Sequence, residues 1–278
     1  MTRPLLINFT PTGMIPTKKM TPHVPISIQE IAEEVHQAYE LGITIAHLHA
    51  RDEEGNPTAD AEVYGRIVES VRRVAPDLVI CVSLSGRDVS DIDKRAAPLE
   101  LTGDSKPDMG SLTLSSLNFI QQASQNAPET IQELAIRMTE RGIIPELEAF
   151  DTGMINYGAY LIRKGVLKPP FYFNLIFGNI ANAQADLLHA GLAIQQLPVD
   201  CHWSFGGIGN TQLQMNTLAL VSGGAVRVGL EDNIFMDSKR DTLATNKQLL
   251  ERIHHLAEIH ERPIMKPSML REEWNIAA

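Results

Sequence analysis

Strand-like and helix-like segments alternate from one end of the chain to the other, and this alternation restricts the fold more than any other feature. Eight short apolar runs each precede a longer segment with helical periodicity. Such runs are typical of strands covered on both faces, and intervening helices make neighbouring strands parallel. The runs are LLINFT, ITIAHLHA, LVICVSLS, DMGSLTL, IPELEAF, PFYFNLIFG, CHWSFGGIG and AVRVGLED.

The helical segments carry start and stop signals. The first has Ser27 as a candidate N-cap, Glu30 three residues later and Gly42 at its end, as in a capping box closed by a glycine. Two segments, at 88–101 and 154–165, have weaker periodicity. The stronger ones are SIQEIAEEVHQAYELG, AEVYGRIVESVRRVAP, PETIQELAIRMTERG, ANAQADLLHAGLAIQQL, TQLQMNTLALVSGG and NKQLLERIHHLAEIH.

The number of β-then-α units is the number that closes a parallel barrel, so we predict an α/β fold, the (β/α)8 TIM barrel. An open, doubly wound sheet is the alternative. Its dinucleotide-binding form has a glycine-rich turn after the first strand, but TPTGMIPTKK lacks the GxGxxG pattern. No linker interrupts the 278 residues, so we expect a single domain over residues 1–278.

Composition excludes several classes of partner. The net charge is -10 and no basic stripe is present, so we expect no nucleic acid partner. No apolar run is long enough to span a bilayer or to act as a secretory signal. Cys81 and Cys201 lie in separate strands, so we expect a cytoplasmic protein whose metal ligands are mainly histidines and carboxylates.

His47 and His49 on the second strand give the strongest indication of chemistry. Residues two apart share one face of a strand, and the reactive groups of such barrels lie at the carboxyl ends of the strands. Two imidazoles at this spacing can take adjacent positions on Zn²⁺ or a similar ion. Two core histidines, or a pair that binds an anion, are the alternatives, and we favour the metal.

The eighth strand offers a third ligand, and a catalytic zinc takes three protein ligands and keeps one open position. Glu231 lies at the carboxyl end of this strand on the same face as Arg227 and Gly229. Barrel closure brings the strand close to the second one, so Glu231 would complete the metal site. Asp232 follows and would reach into the cleft. A surface turn with solvated acids is the alternative.

Polar groups on other strands extend the candidate site. Arg227 inside a barrel needs a carboxylate partner or an anionic substrate. Glu146 and Glu148 share a face of the fifth strand, either as a structural ion pair with Arg227 or as part of the site. His202 on the seventh strand is a reserve ligand. Hydroxyls that would hold a substrate carboxylate, or cap the following helix, belong to Ser83, Ser85, Ser111 and Thr113.

These motifs together resemble the β-keto acid cleavage enzymes, and the likeness extends over nearly the whole chain. The motifs are AHLHARDEEG, PELEAFDTGM, GAVRVGLEDNIF, KPDMGSLTLSSLNF and ERPIMKPSMLRE. The resemblance implies a zinc-dependent barrel enzyme that converts a β-keto acid and acetyl-CoA into acetoacetate and a new acyl-CoA. We also expect a homo-oligomer, specifically a tetramer. The resemblance further implies that His47, His49 and Glu231 bind the zinc, Asp232 is the general base positioned by Arg227 and Glu146, and Ser83, Gly86 and Ser111 contact the substrate.

The chain departs from the family pattern in two places. The member that binds an amine-bearing substrate has an acidic residue shortly after the first strand, where this chain has Ile15. Leu84 and Ser85 replace a usual Thr-Gly pair after the third strand. An ammonium would find no counter-charge at Ile15, so we expect a substrate with an apolar or neutral tail.

Two other functions remain open from the sequence. A metal-dependent TIM-barrel hydrolase would also use the HxH motif, but such enzymes carry it on the first strand with further histidines on middle strands. A non-catalytic barrel that binds a carboxylate ligand would need neither Asp232 nor a tightly held metal. Hydrolysis without coenzyme A would favour the first alternative, and a lack of acetyl-CoA-dependent acetoacetate production from any β-keto acid would favour the second.

Overall fold

Parallel strands close into one barrel in the computed structural model, which describes residues 3–277. The strands are β1 (Ile7–Phe9), β2 (Ile45–Leu48), β3 (Val79–Val82), β4 (Met109–Thr113), β5 (Ile144–Ala149), β6 (Tyr172–Phe177), β7 (His202–Gly207) and β8 (Ala225–Val228). Because β1 pairs with both β2 and β8, the barrel sheet has no free edge. The (β/α)8 prediction is confirmed. The expected single domain includes residues 1, 2 and 278, which lie outside the described residues, and it stays a prediction.

The helices follow the strands in the predicted order. The Ser27 side chain accepts from the Glu30 N–H, and the Glu30 side chain accepts in return, so the predicted capping box is confirmed. The sixth helix begins later than its pattern suggests, because Asp186 caps it. The helices are α1 (Ile28–Leu41), α2 (Ala61–Val74), α3 (Ile92–Ala96), α4 (Pro128–Glu140), α5 (Thr152–Arg163), α6 (Leu187–Gln196), α7 (Gln212–Val221), α8 (Asn246–Ile259) and α9 (Pro267–Trp274). Within residues 3–277, none of them combines the length and the apolar character that a membrane crossing requires.

The middle of the barrel interior is polar. The larger apolar cluster lies between the strands and the helices, and a second one, which includes Ile45, Val79 and Met109, lies at the amino end of the barrel beside Trp274. Asn8 on β1 donates to Glu146 on β5 (2.5 Å) and to Tyr172 on β6 (3.1 Å). Since β1 is a neighbour of neither strand, these contacts cross the interior. The Tyr172 hydroxyl donates to Ser204, which donates to Asn174. This network pairs polar groups whose burial would otherwise be costly.

Gly229→Ala is expected to destabilise the protein by about 3 kcal/mol. A Cβ at this position would lie 2.1 Å from the backbone oxygen of Thr10, and backbone cannot move aside as a flexible side chain can. Gly191→Ala on α6 is the control, because no atom of residues 3–277 lies within 4 Å of its added Cβ; helix propensity should make it neutral or stabilising by up to about 1 kcal/mol. Urea unfolding measures both variants, and equal effects would contradict the prediction.

Candidate active site

Three predicted metal ligands converge at the carboxyl end of the barrel. The Nε2 atoms of His47 and His49 are 3.3 Å apart, and His49 Nε2 lies 3.1 Å from Glu231 Oε1. One ligand atom from each residue lies within 4.8 Å of the others. His47 is on β2 and His49 follows it, whereas Glu231 lies on the loop after β8, because that strand ends at Val228. Barrel closure therefore brings the predicted ligands together.

This donor set fits a zinc ion. Two imidazole nitrogens and one carboxylate oxygen are typical zinc ligands, and three protein ligands leave one position for a substrate. Glu231 Oε2 is buried and has no hydrogen-bond partner among the described residues, and a cation would satisfy it. Burial lowers the pKa of His47, but the charges of Glu146 and Glu231 outweigh burial and raise that pKa to about 9. A bound cation would take the place of this proton.

Two alternative ligands are less suited to a metal. Cys81 lies near His47 and Glu146, but burial raises the pKa of its thiol well above the ordinary value. The thiol therefore stays protonated, and only the thiolate is a good ligand. His202 lies at the amino end of β7, where it contacts Glu273 at 2.9 Å. Its prediction as a reserve ligand is wrong, because it is at the opposite end of the barrel.

Glu146 lies against His47 and not against Asp232. Its Oε2 is 2.6 Å from His47 Nδ1, while Asn8 and Asn174 donate to its Oε1. A carboxylate bound to the outer nitrogen of an imidazole fixes the ring and leaves the other nitrogen for a metal. The structure thus gives Glu146 a geometry for orienting a metal ligand, in place of the expected contact with the general base.

Arg227 holds Asp232 beside the metal ligands. Arg227 Nε donates to Asp232 Oδ2 (2.8 Å), Nη2 donates to Oδ1 (3.2 Å), and Nη2 is also 2.7 Å from Glu231 Oε1. Burial raises the pKa of Asp232, Arg227 opposes that rise and Glu231 adds to it; the pKa of Asp232 is raised overall. The direction of this shift, which the sequence left open, makes Asp232 a stronger base.

Glu148 is a further carboxylate of the site, and sequence reasoning gave it no definite role. Its Oε1 lies 3.9 Å from Arg227 Nη1, and its Oε2 accepts from the Thr113 hydroxyl (2.7 Å). Burial raises the pKa of Glu148 and the charge of Glu146 adds to that rise. Because Glu148 is two residues nearer the carboxyl end of β5, it faces the mouth of the barrel while Glu146 lies deeper.

The sequence pattern of the family described as beta-keto acid cleavage enzyme matches residues 4–276. The chain belongs to this family. It is 35% identical to the 3-keto-5-aminohexanoate cleavage enzyme of Fusobacterium nucleatum subsp. nucleatum, over 98% of both chains. It is 33% identical to the 3-oxoadipate:acetyl-CoA acetyltransferase of Cupriavidus necator, over 98% of this chain and 94% of that protein. The apo structure of ObcA superposes with a TM-score of 0.81 at 19% identity, over 91% of this chain and 66% of ObcA, which supports the fold.

In this β-keto acid cleavage enzyme, the loop after β1 lies over the metal ligands. Gly13 has φ +69° and leaves no room for a side chain, because a Cβ would lie 2.4 Å from Glu231 Cγ. Arg51 fixes the loop by donating to the carbonyl oxygens of Gly13 (2.6 Å) and Pro16 (3.0 Å). Ile15 is therefore held at the mouth of the barrel, where it is 47% exposed.

A cavity of about 550 Å³ opens beside the metal ligands. Ser83 lines it, as a substrate-binding residue should. Ser111 instead accepts a hydrogen bond from the Leu84 N–H (2.9 Å), and Gly86 lies against the backbone of Gln125. Neither of these two lines the cavity, so the geometry supports only Ser83 among the three substrate contacts that the family resemblance implies.

Proposed function

We propose that the protein is a zinc-dependent β-keto acid cleavage enzyme that converts a β-keto acid and acetyl-CoA into acetoacetate and a new acyl-CoA. The observation that carries the proposal is the position of Asp232, held by Arg227 beside His47, His49 and Glu231. The names of the relatives support it, since they describe a β-keto acid cleavage enzyme and an acetyl-CoA acetyltransferase. The overall exchange balances: the acyl group of the β-keto acid passes to the thiol sulfur of coenzyme A, and the acetyl group takes its place in acetoacetate.

Each side chain of the site has a distinct role in this exchange. Zinc, when bound by His47, His49 and Glu231, would polarise the ketone of the β-keto acid. Asp232 removes and returns a proton at its Oδ atoms, and its raised pKa suits both steps. Arg227 stays charged throughout, because burial lowers its pKa but the neighbouring carboxylates raise it well above the ordinary value. Its fixed donors stabilise negative charge that develops as the carbon–carbon bond breaks.

The proposal is tested with zinc-loaded protein, a panel of β-keto acids and acetyl-CoA. We expect acetoacetate and a new acyl-CoA in equal amounts, and no product when acetyl-CoA is omitted. Product without coenzyme A would favour the metal-dependent hydrolase, and no turnover of any β-keto acid would favour the non-catalytic barrel. The first acyl-CoA identified by mass spectrometry also identifies the tail of the substrate.

We also propose that the protein is cytoplasmic and forms a homo-oligomer, with a tetramer as the expected state. Cys81 and Cys201 are free thiols, which a reducing compartment preserves. On α6, Leu187 and Leu188 are 73% and 69% exposed, and contiguous exposed apolar residues are typical of contacts between subunits.

A further inference from the structure

The cavity beside the metal ligands contains a guanidinium that the proposed chemistry does not use. Arg87, five residues after β3, lines this cavity, and its guanidinium carbon lies 3.4 Å from the centre of the Phe119 ring. A planar guanidinium stacked on an aromatic ring keeps its edge free for hydrogen bonds. The N–H groups of Arg87 are therefore available along the edge of its guanidinium.

Within residues 3–277, the Arg87 guanidinium donates no hydrogen bond and has no carboxylate within 4.0 Å. The neighbouring buried arginines are different. Arg51 donates to the carbonyl oxygens of the β1 loop, and Arg95 donates to Leu84, Gln125 and Asn126. Arg87 is only partly buried, and its nitrogens are not among the fully buried atoms that lack a hydrogen-bond partner in the described residues. Water can therefore reach the guanidinium, and an anion in the cavity can take the place of that water.

The acids that face Arg87 already have other donors. Asp88 accepts from Gln122 (3.2 Å). Glu231 and Asp232 contact Arg227 at 2.7 and 2.8 Å, and Glu148 accepts from the Thr113 hydroxyl. Burial lowers the pKa of Arg87, and these carboxylates oppose that effect. Arg87, His49 and Glu231 line the same cavity, so an anion bound to Arg87 would share that cavity with the metal ligands.

Uncharged side chains make up much of the cavity lining, among them Met14, Ile15, Phe119 and Ile120. The carboxylates that line the cavity are the four acids described above, Asp88, Glu148, Glu231 and Asp232. We propose that Arg87 binds a second, terminal carboxylate on the tail of the β-keto acid, so that the preferred substrates are β-keto dicarboxylic acids. This rests on the proposed function, and it replaces the expected apolar or neutral tail with an anionic one. The other source of anionic oxygens, coenzyme A, carries its phosphates a whole pantetheine arm away from the reacting thioester.

Two substrates of equal chain length test the proposal: 3-oxoadipate, which ends in a carboxylate, and 3-oxohexanoate, which ends in a methyl group. Wild-type protein should show a kcat/KM for 3-oxoadipate about 10- to 100-fold higher than for 3-oxohexanoate. This ratio corresponds to the free energy of one hydrogen bond to a charged group. Arg87→Gln should abolish that ratio and change kcat/KM for 3-oxohexanoate less than about threefold. Arg87→Lys should restore part of it, because the charge returns without the planar fork.

Arg240→Gln is the matched control, because Arg240 lines the same cavity but already donates to Asn210 (3.0 Å). It should leave the ratio of the kcat/KM values of the two substrates within about threefold of the wild-type ratio. A hydrogen bond to a charged group, as proposed for Arg87, contributes much more than that. Equal kcat/KM values in the wild type would overturn the proposal. So would a KM for acetyl-CoA that rises in Arg87→Gln with both substrates, since that would assign Arg87 to the phosphates of coenzyme A.

Calorimetric binding of 3-oxoadipate to zinc-loaded protein, without acetyl-CoA, separates this proposal from the proposed function. Binding that Arg87→Gln weakens about 10-fold or more, in a protein that turns over no β-keto acid, would support the Arg87 site and contradict the enzyme assignment. Turnover with the same affinity for 3-oxoadipate in wild type and Arg87→Gln would support the enzyme and overturn the Arg87 site.

Discussion

Asp232→Asn is expected to lower the rate of acetoacetate formation by about 1,000-fold, the usual contribution of a positioned general base. The amide cannot accept the proton, although its oxygen can still accept from Arg227, which keeps its contact with Glu231 at 2.7 Å. The zinc ligands and the fold should therefore be unchanged. Steady-state assays with saturating acetyl-CoA, together with the zinc content by elemental analysis, measure the two effects separately.

Asp241→Asn is the control for this variant, because it makes the same chemical change at an exposed carboxylate on the same loop. Its rate should equal that of the wild type. An Asp232→Asn protein that keeps its zinc and more than about a tenth of the wild-type rate would show that Asp232 is not the base, since general bases contribute at least about 100-fold.

His49→Ala is expected to remove the bound metal and, with it, the activity. The variant loses one of three ligands and leaves Glu231 Oε1 without its contact at 3.1 Å. Loss of even an outer partner of a ligand weakens zinc binding by about 10- to 100-fold, so loss of the ligand itself should exceed that. Zinc per chain after dialysis against a weak chelator, and the rate before and after zinc is added back, measure the effect.

His202→Ala controls for the loss of a buried imidazole. His202 is 8% exposed and contacts Glu273 and Trp274 at the amino end of the barrel, so this variant should lose stability but retain zinc and rate. A His49→Ala protein that retains one zinc per chain would contradict the proposed metal site of His47, His49 and Glu231.

The sequence already contained much of the fold. Alternating apolar runs and periodic segments predicted the barrel, because each short strand has to be covered by a helix before the next parallel strand can pair. Capping signals predicted the limits of α1 to within a residue. Helix α9 carries a weaker signal in its own residues: it is only 8 residues long and starts at Pro267 with no side-chain cap.

Part of the site was also readable from the sequence. The spacing of His47 and His49 places both imidazoles at one strand end, and the eighth strand supplied Glu231, Asp232 and Arg227 as candidates. The family resemblance added the role of Asp232 as the general base. The structure then shows that these residues lie close together. Arg227 was foreseen as a candidate partner of Glu146 and Glu148, and it lies 3.9 Å from Glu148. The contact of Glu146 with His47 was not readable, because two acids on one face of a strand can meet several other strands inside a barrel.

Local sequence determined which segments become strands and helices, and which face each side chain occupies, because backbone periodicity and capping are local effects. Only the closed barrel decided that Glu146 meets His47 across the interior, that Glu148 and not Glu146 pairs with Arg227, and that Arg87 faces the cavity without an acceptor from residues 3–277. These contacts join strands and loops far apart in the chain, so they depend on the stagger between strands, which is fixed only when the whole sheet closes.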